Sequence, residues 1–106
     1  MFTINGIIWT VKIVNPHHPF LEMPNGKYAI GVCDRNYKVI CISNELHGKD
    51  FKETLCHEIV HAAVFSYNIQ IDYNYEEYLA NFISKYGHEI INFTDTTFKK
   101  INRGYF

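Results

Sequence analysis

The sequence predicts an α+β fold in which a small sheet of three or four strands precedes two main helices. Apolar and β-branched runs fill the first half of the chain, whereas the second half repeats its apolar residues every three or four positions. A length of 106 residues leaves room for one core, and 47% hydrophobic residues can fill it. We therefore expect a single domain over residues 1–106.

Two pairs of strands are expected in the first half. Phe2–Ile4 and Ile7–Val14 flank Asn5-Gly6, a strong hairpin signal because both turn positions take positive φ. A second pair is predicted at 28–33 and 37–43, which gives an antiparallel or mixed sheet. Residues 15–26 hold all three prolines and are predicted to form a loop.

The second half predicts helices. Helix one is expected at about 50–67, with Asp50 and Glu53 as a capping box at its start. Helix two is expected at about 75–92, where Asn74 and Glu77 give a similar cap signal. Residues 94–101 can form a short third helix.

Composition limits the function classes. A net charge of −1 and a pI near 6.6 indicate no excess of basic residues for binding nucleic acid or an anionic membrane. No run of 18 apolar residues is present, and we do not expect the first residues to act as a secretory signal, because they have no basic stretch followed by an apolar run. Three cysteines without a CxxC pair argue against a disulfide framework and a cysteine-built zinc knuckle. We expect a cytoplasmic protein; the composition predicts no particular oligomeric state.

Residues 57–61 read His-Glu-Ile-Val-His, an HExxH motif within the first predicted helix. Residues four apart share a helix face, so His57 and His61 can converge on one zinc ion with bonds of about 2.0–2.1 Å. Glu58 lies about 100° further around the helix, which suits a general base beside an activated water. Chance alone would produce the motif with odds of roughly two in a hundred. The competing interpretation is an ordinary helix that contains two histidines.

A catalytic zinc site takes three protein ligands and leaves one position open, so a third ligand is needed. Glu77 is favoured because it lies at the start of helix two, after a turn long enough for the helices to pack side by side. Asn81, four residues later, could orient Glu77 or His57. Glu76 is the main alternative to Glu77. The full set of downstream candidates is Asp72, Glu76, Glu77 and His88.

The sequence resembles the ImmA/IrrE family of metallopeptidases, particularly its small phage and mobile-element members. The resemblance covers roughly residues 28–92 and has the order of a minimal gluzincin, a zincin-like arrangement. It implies a zinc site of His57, His61 and Glu77 with Glu58 as the base. It also implies an edge strand at 38–43 that holds an extended peptide by strand addition. The segments that carry the resemblance are 38–43, 54–62 and 77–82.

Membership of that family would imply a zinc metalloendopeptidase acting on a protein or peptide, and some members cleave a phage or transposon repressor. A related SprT-like group takes a third histidine as ligand, but the only later histidine is His88, eleven residues past Glu77. The alternative function is a catalytically weak or inactive, zinc-stabilised binding module. Such a module would capture a phage or host regulatory protein through the sheet edge and the 15–26 loop.

A hydrolase of this type also needs a hydrogen-bond donor for the developing oxyanion. The sequence offers four candidates around the predicted helix connections, and it does not choose among them. His17 and His18, which lie between prolines, are interpreted as exposed loop residues rather than as a second metal site. The oxyanion candidates are Tyr67, Tyr73, Tyr75 and His47.

Overall fold

A four-stranded mixed sheet and two long helical segments form this computed structural model, which describes residues 1–104. The predicted α+β class is confirmed. The sheet order is β1-β2-β4-β3, with β2 and β4 parallel and the other two pairs antiparallel. The strands are β1 (Phe2–Ile4), β2 (Ile7–Val14), β3 (Gly31–Asp34) and β4 (Val39–Ser43).

The first hairpin forms as predicted, with Phe2 opposite Trp9 and Ile4 opposite Ile7. Asn5 and Gly6 take φ values of 47° and 81°, the left-handed conformation that this two-residue turn requires. The Asn5 side chain also donates a hydrogen bond to the Ser66 carbonyl over 3.0 Å. The hairpin is thereby fixed to the end of the first helix.

The second strand pair differs from the prediction in length and position. β3 begins at Gly31 rather than at residue 28, because the two residues at 28 and 29 pair with the preceding loop instead. Tyr28 forms an isolated bridge with Glu22, and the Ala29 N–H donates a 2.8 Å hydrogen bond to the Leu21 carbonyl. The expectation of an edge strand at 38–43 is wrong. β4 is buried between β2 and β3, because the parallel pairing with β2 covers its other side. The edge strand on this side is β3.

Helix α1 spans Gly48–Ser66 and begins two residues before the predicted start. The expected capping box is wrong: His47 is the N-cap residue, and Asp50 lies within the first turn. Helix α2 spans Tyr73–Phe82, and the predicted cap at Asn74 is also wrong. The Asp72 carboxylate caps α2 by accepting the Asn74 N–H over 2.8 Å.

Helix α2 continues without a break through a π-helical segment, Ile83–Gly87, into α3, His88–Asn102. One helical rod of 30 residues therefore replaces the predicted separate helices at 75–92 and 94–101. Residues 88–102 contain no proline or glycine, so no residue in this segment is expected to end the helix. Within residues 1–104, no helix is both long and apolar enough for a membrane span.

The core lies between the sheet and α1. Trp9, Ile40, Ile42 and Ala62 are fully buried there, and the Trp9 indole donates a 2.8 Å hydrogen bond to the Ser66 hydroxyl. A smaller cluster of Val60, Val64 and Ala80 joins α1 to α2. This second cluster holds α2 beside the middle of α1, where the HExxH motif lies.

Candidate metal centre

The two motif histidines and one glutamate of α2 converge at the centre of the interface between the helices. His57 Nε2 lies 3.2 Å from His61 Nε2 and 3.2 Å from Glu77 Oε1. His61 Nε2 lies 2.6 Å from the same Glu77 oxygen. The three ligand atoms all fall within 4.8 Å of one another, so the group could hold a metal ion.

The spacing of these atoms fits a small tetrahedral ion. At bond lengths of about 2.0–2.1 Å, neighbouring ligand atoms of a tetrahedral zinc site are about 3.3–3.4 Å apart. Two of the three distances, both 3.2 Å, are close to that value, and the third, 2.6 Å, is a hydrogen-bond length. The Nε2 atoms of His57 and His61 face each other, an arrangement that a shared cation would stabilise.

Glu76, the alternative third ligand, takes a different position. Its Oε2 atom contacts Nδ1 of His61 on one side and the guanidinium of Arg35 on the other. Glu76 is only 4% exposed, so this carboxylate is satisfied by protein groups rather than by water. By accepting a hydrogen bond from the Nδ1–H of His61, it leaves Nε2 free to face Glu77.

Arg35 contacts Glu76, which in turn contacts His61, and the sequence does not identify Arg35 as a site residue. It lies in the tight turn between β3 and β4, 41 residues before Glu76, and its guanidinium sits 5.7 Å from the centroid of the Phe65 ring. No local motif connects an arginine in a strand turn with a glutamate on a distant helix. They meet because the sheet and α2 both pack against α1.

Glu58 lies beside the three ligand candidates and is 8% exposed. Burial raises the pKa of Glu58 to about 7; the Glu77 carboxylate adds to the rise, and His57 opposes it. The side chain packs close to β3, since a Cβ atom at Gly31 would lie 3.3 Å from Glu58 Cγ. Glu58 therefore occupies the space between the ligand group and the edge strand.

A groove runs along β3 over the candidate centre. One cavity of about 520 Å³ holds the ligand group and is bordered by residues of β3, α1 and α2. A second cavity of about 380 Å³ continues the groove past His57 toward Asn81 and Lys85. The residues common to both cavities are Ala29, Gly31, His57 and Glu58.

Of the four oxyanion candidates, the structure brings only Tyr73 to this groove. Its ring stacks on the His61 ring, with centroids 6.5 Å apart and planes 9° from parallel. Desolvation beside the cavity, followed by the Glu77 and Glu58 carboxylates, raises the pKa of the Tyr73 hydroxyl. The group therefore stays protonated, and able to donate, at neutral pH.

The remaining candidates lie elsewhere or play other parts. Asp72 serves as the cap of α2, and His88 is exposed at the start of α3. Asn81 borders the second cavity beside His57, but its side chain forms no hydrogen bond within residues 1–104. The structure thus brings Glu77 to the histidines and leaves both Asp72 and His88 outside the ligand group.

The 15–26 loop contains no second candidate centre. His18 Nδ1 accepts the Phe20 N–H over 3.1 Å and so caps a short 3-10 turn, Pro19–Leu21. His17 packs against the Tyr28 ring at 4.9 Å. In the described part of the chain, only the His57, His61 and Glu77 group has metal-ligand spacing. All three cysteines are free, as expected.

Comparisons with protein-family models, with curated proteins and with solved structures gave no significant match for this chain.

Proposed function

We propose that the protein is a zinc-dependent metallopeptidase of the ImmA/IrrE type that hydrolyses peptide bonds with Glu58 as general base. The observation that carries the proposal is the convergence of His57, His61 and Glu77 within 4.8 Å. The buried Glu58 beside them adds the acid–base group that such chemistry needs.

Zinc is the metal that suits this donor set. Two imidazole nitrogens and one carboxylate oxygen are a known ligand combination for catalytic zinc, and three protein ligands leave one coordination position for the reactants. When bound, zinc supplies Lewis-acid activation of a water molecule and of the substrate carbonyl. His57, His61 and Glu77 would hold the ion, while Glu76 orients His61 through Nδ1.

Glu58 then serves as the proton carrier. Its carboxylate takes a proton from the attacking water and returns it to the amine of the departing peptide. Burial raises the pKa of Glu58 above the usual carboxyl range, which suits a group that must both accept and return a proton. Tyr73 is the proposed donor to the oxyanion that develops on the substrate carbonyl.

The substrate is an extended peptide or protein segment that lies along β3. β3 pairs with β4 on one side only and leaves its other backbone edge unpaired in the described sheet. Gly31, Val32 and Cys33 of this strand border the larger cavity, beside Glu58. A peptide added to this edge by backbone hydrogen bonds would pass directly over the candidate centre.

Glu58→Gln tests the proposal, with peptide cleavage in a proteome-derived library measured by mass spectrometry. The variant should retain zinc and lose activity by about 10²- to 10⁴-fold, because only the base is removed. Glu45→Gln, at an exposed position away from the groove, should cleave like the wild type. A zinc-loaded wild type that cleaves nothing would sink the peptidase proposal.

The alternative, a zinc-stabilised binding module for a phage or host regulatory protein, gives a different result. Partner capture would then be the same for the wild type and Glu58→Gln, with no cleavage products from either. The unpaired β3 edge favours this alternative as much as it favours a peptidase, so only the cleavage measurement separates the two.

A further inference from the structure

Helix α3 projects away from the rest of the molecule. Every described residue after Gly87 is exposed, and the substantial contacts of α3 are with the Ile83–Gly87 segment that precedes it. The molecule measures 56 × 30 × 27 Å as a result, since a 15-residue helix adds about 22 Å of length. Because most helical stability in proteins comes from packing of an apolar face, this end of the 30-residue rod gains little stability unless its apolar side is covered.

One side of α3 is apolar along its whole length. Its large apolar residues leave roughly half of their surface in solvent, from 43% for Ile90 to 64% for Phe93. A shallow groove on this side is lined by Phe93, Thr94, Thr97, Phe98 and Ile101. The residues on the opposite side, including Asn92 and Lys99, are polar. The helix thus has the amphipathic form of a packed element.

The exposed apolar area is large for a chain of this size. Taking about 200 Å² for a whole aromatic side chain, Phe93 and Phe98 alone leave roughly 250 Å² in solvent. The isoleucines bring the α3 face to an area on the order of 500 Å². Two such faces together bury about 1,000 Å², the lower limit for a specific interface and an area typical of weak association.

We propose that α3 is a dimerisation helix, which packs antiparallel against α3 of a second copy of this chain. The charges along the helix favour that orientation. The N-terminal half carries Glu89, whereas the last turns carry Lys99, Lys100 and Arg103. An antiparallel pair places Glu89 of each helix beside the basic last turns of the other, and a parallel pair would place the three cations beside their copies.

Glu89 and Lys100 are placed to pair across the two-fold axis. They are eleven residues apart, which is three helical turns plus about 20°, so both lie on the same flank of the apolar face. Equal flanks meet in an antiparallel two-fold pair, which sets Glu89 of one copy opposite Lys100 of the other. In the same register Ile90 of one copy lies about 3 Å along the axis from Ile101 of the other, so the two side chains pack together on the apolar face.

Sedimentation velocity over a range of protein concentrations tests the association. The wild type should change from monomer to dimer between about 1 µM and a few hundred µM, as expected for an interface of this modest size. Ile101→Asp should weaken the association at least tenfold, while Asn92→Asp on the polar side should leave it unchanged. Neither side chain packs on the sheet or on α1, so at concentrations below about 1 µM, where all three proteins are expected to be monomeric, both variants should keep the circular dichroism spectrum of the wild type.

Chemical cross-linking tests the orientation. In the antiparallel register that pairs Glu89 with Lys100, the two copies of residue 94 are about 1.5 Å apart along the helix axis, and the two copies of residue 90 are about 13.5 Å apart. A short bis-maleimide should therefore link Thr94→Cys efficiently and Ile90→Cys poorly, relative to the wild-type background from its own cysteines. Equal linkage of both variants would indicate a parallel pair and overturn the proposed arrangement.

Charge reversal gives an independent test. Glu89→Lys and Lys100→Glu should each weaken the dimer several-fold, and the double variant should return to the wild-type association constant. A double variant as weak as the single ones would contradict the pairing. A wild type that stays monomeric at every concentration would overturn the dimer, and α3-dependent binding of that monomer to phosphatidylcholine–phosphatidylserine vesicles would assign the face to a membrane surface instead.

Discussion

The Nδ1–H of His61 donates a hydrogen bond to the Glu76 carboxylate, which directs the other ring nitrogen, Nε2, toward the candidate metal centre. Glu76 and Glu77 are neighbours on α2, about 100° apart around the axis. The Glu77 carboxylate therefore meets the Nε2 side of the His61 ring, and the Glu76 carboxylate meets the Nδ1 side. The arrangement assigns different tasks to two adjacent glutamates. Glu77 is the ligand candidate, and Glu76 is a positioning residue.

The two glutamates should respond differently to amide substitution. Glu77→Gln should lower zinc affinity by more than about 100-fold because a ligand atom is lost, whereas Glu76→Gln should lower it by about 10- to 100-fold. Competition with a chromophoric chelator measures both values. A larger loss from Glu76→Gln than from Glu77→Gln would reverse the assignment.

Arg35 should stabilise the folded protein by pairing with the buried Glu76 carboxylate. Arg35→Gln leaves the buried Glu76 carboxylate without its cation, which should destabilise the chelator-treated protein by about 1–3 kcal/mol in urea unfolding. The double variant Arg35→Gln/Glu76→Gln removes the unpaired charge and should recover part of that loss. Additive losses in the double variant would show that the two side chains act independently.

Gly31 should not tolerate a larger residue. A Cβ atom there would lie 2.7 Å from Thr54 Cγ2 and 3.2 Å from Ile42 Cδ1, so Gly31→Ala should destabilise the fold by about 1–3 kcal/mol. Thr54→Ser removes the closest methyl group, and in the double variant it should restore a large part of the lost stability. Thermal unfolding of the four proteins measures this, and an unchanged stability in Gly31→Ala would refute the close approach.

Cys33 should react slowly with alkylating agents despite its place at the groove. Burial raises the pKa of the Cys33 thiol to about 12, with a smaller contribution from Glu58. At pH 8 the folded protein should therefore hold roughly a thousandfold less Cys33 thiolate than an unfolded chain. Iodoacetamide labelling followed by peptide mass spectrometry, with and without urea, checks this, and equal labelling in both conditions would argue against it.

Local signals predicted most of what is local in the structure. The Asn5-Gly6 turn sets the hairpin because its backbone requirement is intrinsic to those two residues. The spacing of His57 and His61 likewise places both rings on one side of α1, which needs only a helix. These features follow from sequence neighbours, and the structure contains both.

The predictions that were wrong concern contacts between residues far apart in the sequence. β3 is the edge strand because β4 pairs in parallel with β2, and no local sequence pattern shows which strand the chain will pair with after a crossover connection. The Arg35–Glu76 contact joins residues 41 apart and has no sequence signature. The expected break between helices at 75–92 and 94–101 was wrong because residues 92–94 contain no proline or glycine that would end the helix, and α3 runs through them.

The central claim is that His57, His61 and Glu77 bind one zinc ion. Elemental analysis of the purified protein measures it most directly, compared with Glu77→Ala and with Glu45→Ala as an exposed control. We predict about one zinc per chain for the wild type and Glu45→Ala and nearly none for Glu77→Ala, with zinc raising the melting temperature of only the first two. Equal zinc content in the wild type and Glu77→Ala, or a metal-free wild type that zinc does not stabilise, would contradict the claim.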